Sequence, residues 1–163
     1  MRHVTTLAEA GIVYPHRTVA AVQETGLPLM LACAFLQQES SGGHNVFGHD
    51  PTIFVGAGDV TETNYKQYLA RRGPTGHGGM QGVGPMQLTY WSIQDEADTL
   101  GGCWRPLMNM LVGFRLVVAN KARYGTWWNA AAHYNGGTDP GEAARRYADE
   151  VLARATRLKD VRP

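Results

Sequence analysis

The chain has 163 residues, with 15 Lys and Arg against 14 Asp and Glu and a formal net charge of +1. A single domain of this length can build its own core, and the near-even charge balance gives no general electrostatic reason to expect nucleic acid or an anionic membrane surface as partner. The two cysteines, Cys33 in an apolar run and Cys103 in a glycine turn, supply no disulfide framework, and the apolar stretch 27–36 is too short to span a bilayer and too deep in the chain to be a signal peptide.

Pro15, the run HRTVAAVQET and Gly26 predict a helix with proline in its first turn and glycine just past its end. Pro28 opens a second helix whose core, LMLACAFL, is apolar nearly all round, the pattern of a helix buried at the centre of a domain. Residues 40–60 read as irregular, with one apolar fragment, TIFV at 52–55, that suggests a small hairpin. The segment TETNYKQYLARR predicts a helix capped by Thr61 or Thr63 and stopped by Gly73, and the six glycines of 73–85 make a loop. Further helices are predicted over 90–100, 107–124, 127–134 and 141–158, the last two separated by the turn NGGTDPG. The result is one mainly α domain, 1–163, with a minor β element and no internal repeat.

Glu39 stands where the apolar helix breaks into polar and glycine residues, in LQQESSGG at 36–43. Burial against Phe35 and Leu36, and the negative end of the helix dipole, both penalise its anion and raise its pKa. Such a carboxyl can serve as a general acid near neutral pH. In GVGPMQLT at 82–89, Gly82 and Gly84 allow close backbone approach to a ligand, and the Gln87 amide offers a donor and an acceptor to an acetamido or hydroxyl group. The alternative is a plain turn ahead of a helix. In AAAHYNGG at 130–137, small alanines permit close packing on the central helix, and Tyr134 and Asn135 reach the cleft. Tyr134 either bonds Glu39 or substrate, or fills the core with a satisfied hydroxyl. The six histidines show no metal-ligand spacing, so neither a metal nor another cofactor is expected. The tryptophans at 91, 104, 127 and 128 could stack on sugars but more often pack at such helix positions.

With YADEVLARA at 147–155, these segments form an ordered set of four that resembles the lysozyme superfamily of goose-type lysozymes and lytic transglycosylases. The family shows a Glu-Ser after an apolar helix, a Gly-x-Met-Gln turn, an Ala-x-Tyr-Asn-x-Gly segment and a C-terminal Tyr-Ala-x-x-Val helix. The resemblance runs from about residue 28 to 158. It implies a lysozyme-like α+β fold, mainly α, with two lobes around a cleft, a buried central helix and a small β element. It also implies a glycosidase that cuts the β-1,4 bond between N-acetylmuramic acid and N-acetylglucosamine in peptidoglycan. Glu39 then protonates the bridging oxygen, and Gln87, Tyr134, Asn135 and Tyr147 bind substrate.

The second carboxylate departs from the family pattern. Goose-type lysozymes carry one aspartate in a Gly-aromatic-Gly-Asp turn and another directly after Met-Gln-Val. Here the first turn reads Val46, Phe47, Gly48, His49, Asp50, with the acid displaced by one residue, and the second position holds Thr89. Asp50 is the candidate base for hydrolysis, with Asp59 and Glu62 as competitors. A lytic transglycosylase, which yields 1,6-anhydro ends, manages with one acid.

Without a signal peptide, the chain is expected to be made in a host cytoplasm and to act at the bacterial cell wall, as a phage endolysin does. It is expected to bind peptidoglycan glycan strands, not nucleic acid or membrane, as a monomer or as one module of a longer protein. Three rivals remain. GVGPMQLT also resembles the Gly-x-Gly-Pro-x-Gln-Leu-Thr turn of plant-type chitinases, although AAAHYNGG and the C-terminal segment argue against that reading. Cys103 with His133 could form a cysteine peptidase pair. An inactive sugar-binding module would keep the cleft without the chemistry.

Overall fold

In the computed structural model, which describes residues 2–49 and 58–158, proline and glycine set many of the helix ends. The first helix, α1 (Arg2–Glu9), is one that the sequence pattern does not predict. It leads through Leu7 and Ile12, both buried, to α2 (Pro15–Thr25), which starts on its proline and ends at Gly26 with φ 73°. The central helix α3 (Leu29–Ser40) follows, with Leu31 to Leu36 all buried, and runs through Glu39 to end at Ser41, φ 53°. Glu39 therefore lies in its last turn, not beyond its end.

Thr61, not Thr63, caps α4 (Glu62–Arg72). Its hydroxyl accepts from the Asn64 amide at 3.2 Å while the Asn64 side chain accepts from the Thr61 amide at 2.7 Å. These reciprocal bonds satisfy two backbone donors that a helix start leaves unpaired. After the glycine loop come α5 (Trp91–Thr99), α6 (Pro106–Tyr124), α7 (Trp127–Gly136) and α8 (Glu142–Leu158). The chain is thus mainly α. Among the described residues the β content is three isolated antiparallel bridges, Val46–Asp59, Phe47–Val83 and Val83–Leu88. The expected fragment TIFV lies outside the described residues.

The helices pack through small residues and narrow apolar stripes. Ala144, Tyr147, Ala148, Val151, Ala155 and Leu158 of α8 recur at helical spacing and are buried. That stripe covers α3 and α7, while α6 packs on α2, α5 and α7. The buried alanines 130–132 therefore seat α7 principally against α6 and α8 rather than on the central helix, which α7 reaches through the Tyr134 ring against Phe35. Cys33 and Cys103 are both free and buried, and no helix among the described residues is long and apolar enough to cross a membrane.

Candidate active site

Two cavities, of about 970 and 430 Å³, meet at Glu39, Gly48, His49 and Gln87. The last turn of α3 carries the Glu39 carboxyl to this junction. Burial pushes its pKa up from 4.5 to about 7, against a hydrogen bond from Tyr147 that acts to lower it. Tyr147, buried on α8, donates its hydroxyl to Glu39 Oε1. It lines neither cavity, so its place is behind the acid and not against substrate. The neighbouring carboxyl in turn raises the pKa of Tyr147, after the larger effect of burial.

The turn GVGPMQLT forms the facing wall and is pinned from several sides. Buried Ser40 donates to the Pro85 carbonyl at 2.6 Å, and the Tyr134 hydroxyl to the Met86 carbonyl at 2.6 Å. Asn109, fully buried on α6, accepts from the Met86 amide at 2.9 Å and donates to the Val83 carbonyl at 2.8 Å. Asn109 was not singled out from sequence, where its only signal is a lone polar residue between apolar neighbours, and Ser40 stood in the LQQESSGG segment with no role of its own. Tyr134 thus has its hydroxyl satisfied by backbone, not by Glu39, although its ring edge packs on Phe35 with centroids 5.3 Å apart. It also lines the larger cavity, as exposed Asn135 does.

Gln87 borders both cavities, but its amide is committed. Nε2 donates to the carbonyls of Val46 at 3.0 Å and Gly84 at 2.9 Å. A Cβ on Gly48 or Gly82 would lie 2.6 or 2.5 Å from its Oε1, and one on Gly84 would lie 2.5 Å from Asn109 Nδ2. Gly82 and Gly84 therefore admit these side chains, and Gly82 also lines the larger cavity. Gln87 itself, with φ 48°, acts first as a clamp on the turn.

Asp50 lies outside the described residues. Of its competitors, Asp59 is exposed and lines neither cavity. Glu62 is exposed and paired with Lys66 at 2.7 Å, and that hydrogen bond lowers its pKa. Among the described residues, Glu39 is the one carboxylate facing the cavities. Cys103 is fully buried, faces neither cavity, and has its thiol pushed by burial up to about 12. That removes the thiolate a cysteine peptidase needs, even though His133 lines the larger cavity.

No tryptophan borders either cavity. Trp104 packs on Tyr65 with centroids 5.7 Å apart, and Trp128 donates to Asp149 at 2.8 Å. Of the aromatics that line the larger cavity Tyr90 is the exposed one, at 52%, and it was not among the residues picked out from sequence. An aromatic left so exposed beside a cleft offers a flat face to a sugar ring. Comparison of the chain with protein-family models, with curated proteins and with solved structures finds no match.

Proposed function

We propose that the protein is a glycosidase that cuts the β-1,4 bond between N-acetylmuramic acid and N-acetylglucosamine in peptidoglycan, with Glu39 as its general acid. The observation that carries this reading is the placing of Glu39. A partly buried carboxyl, with its pKa raised to about 7, stands at the junction of two cavities, so that a polymer can lie on both sides of it. Protonation of the bridging oxygen makes a poor leaving group departable, and that step needs an acid which still holds its proton near neutral pH. Tyr147 orients the acid, and Tyr90, Tyr134 and Asn135 face the substrate. The same reading takes the chain as a lysozyme-like domain of two lobes, and its setting as a phage endolysin acting on the bacterial wall.

Hydrolysis calls for a base on the far side of the sugar, with Asp50 as the candidate. Thr89, which lines the larger cavity where the family pattern has a second aspartate, favours a second reading, a lytic transglycosylase in which the muramyl hydroxyl attacks and leaves 1,6-anhydro ends. Glu39→Gln tests what both share. Clearing of a purified cell-wall suspension is expected to fall about 10² to 10⁴-fold while the helical circular dichroism is retained. A variant that clears walls at the wild-type rate removes Glu39 from the chemistry.

A further inference from the structure

The larger cavity has one wall that the acid chemistry does not use. It is built where the end of α6 meets the end of α7, from Asn120, Arg123, Tyr124, His133 and Thr138. The rings of Tyr124 and His133 stack face to face, with centroids 3.5 Å apart and planes inclined by 4°. His133 Nδ1 lies 2.7 Å from the Gly137 carbonyl, which can only accept, so Nδ1 carries the proton and the ring is fixed in its plane. The guanidinium of Arg123 sits 5.2 Å from the Tyr124 centroid, within cation–π range.

Arg123 differs from the arginines that the fold pairs. Arg72, Arg115 and Arg146 each hold a carboxylate, whereas Arg123 makes no ion pair among the described residues. Nor does any described carboxylate other than Glu39 line that cavity. A planar cation of this kind, with a fork of donors that no described carboxylate occupies and a stacked aromatic support, suits bidentate recognition of a carboxylate.

We infer that the wall formed by Arg123, Tyr124 and His133 is an anionic subsite that takes a carboxylate carried by the muramyl unit of the glycan. This rests on the reading of the Glu39 cleft as a glycan site. The carboxylate has two sources, the lactyl ether of muramic acid where the peptide has been removed and the stem peptide where it has not. Chitin offers neither, so the subsite would also favour peptidoglycan over a neutral polymer of N-acetylglucosamine.

The test is binding, read by calorimetry on Glu39→Gln and on Glu39→Gln with Arg123→Gln. Three muramyl-containing tetrasaccharides serve as probes: peptide-free with the lactyl carboxylate, peptide-bearing, and peptide-free with the carboxylate converted to an amide. For the single variant a carboxylate-bearing probe is expected to bind at least about tenfold more tightly than the amide. Adding Arg123→Gln should abolish that difference, and Arg123→Lys should restore part of it, since lysine keeps the charge and loses the fork. A preference for the lactyl probe, or for the peptide probe, identifies the source. Equal affinity for carboxylate and amide, a preference that survives Arg123→Gln, or no binding of any probe would overturn the subsite. Turnover by the wild-type chain separates the two claims. Selective binding without cleavage of walls sinks the glycosidase reading and leaves the subsite. Cleavage of native and amidated walls with the same KM does the reverse.

Discussion

At Glu39 two effects act in opposite directions, and their relative size decides what the residue can do. Burial favours the neutral acid, and the Tyr147 hydroxyl, donating to Oε1, favours the anion; burial prevails and the pKa stands at about 7. Tyr147→Phe removes the donor and so should raise that pKa further. The alkaline limb of wall-clearing activity is then expected to move to higher pH, and a limb that stays put or moves down would show that the hydroxyl does not act on the acid. The shift also has a cost in stability whose direction is fixed. Below pH 4.5 the carboxyl is protonated in the folded and unfolded chain alike and no penalty exists; as pH rises from 4.5 to about 7 the unfolded chain ionises first and stability falls, and above about 7 the penalty is complete. Glu39→Gln should therefore be more stable than wild type at pH 8, by on the order of 2–3 kcal/mol, with the difference vanishing near pH 4. Denaturant titrations at the two pH values check this, and a gap that is equal at both would mean that Glu39 is not penalised by burial. From sequence, the buried setting of the Glu39 carboxyl was legible because its helix is apolar on all sides. The partner of the acid was not, since Tyr147 lies 108 residues away and reads equally well as part of an apolar stripe.

At the scale of elements, the GVGPMQLT turn is the piece on which the site depends. It is gripped by side chains from α3, α6 and α7 and by its own Gln87. Gly113, inside α6, is part of the same fit, because a Cβ there would lie 2.6 Å from the Cβ of Met86. A glycine in mid-helix costs roughly 1 kcal/mol relative to alanine, and here it lets the turn lie against the helix. Gln87→Ala breaks the bonds to two carbonyls, so it is expected to lower stability by roughly 1–3 kcal/mol and to weaken wall clearing as a consequence. Thermal melts beside kinetics decide the matter. Unchanged stability with a raised KM would return Gln87 to direct sugar contact. The helices themselves were largely legible, since Pro15, Gly26, Gly73 and the Thr61 cap are local signals that act through backbone geometry. Helix α1 was not, because eight residues carry too few periods for a pattern, and Leu7 within it and Ile12 after it acquire their burial only from the assembled core. The side chains that the turn glycines admit were not legible for a related reason. A glycine signals close approach but does not say whether the approaching group is a ligand or, as here, the Gln87 and Asn109 side chains.

At the scale of the whole molecule, the eight described helices bring the ends of α3, α6 and α7 and the glycine-rich turn to one face, and the cavities lie among them. The order of the four segments was readable in the sequence, but how far each projects into a common space depends on packing between helices distant in the chain. The central claim is that this face breaks the glycan of peptidoglycan by means of Glu39. Its most direct test is mass spectrometry of the fragments that the wild-type chain and Glu39→Gln release from purified cell walls. The account predicts glycan fragments ending in N-acetylmuramic acid from the wild type, reducing if water attacks and 1,6-anhydro if the sugar hydroxyl does, and essentially none from the variant. Intact glycan strands cut only in their peptides, or the same fragments in the same yield from both proteins, would contradict it.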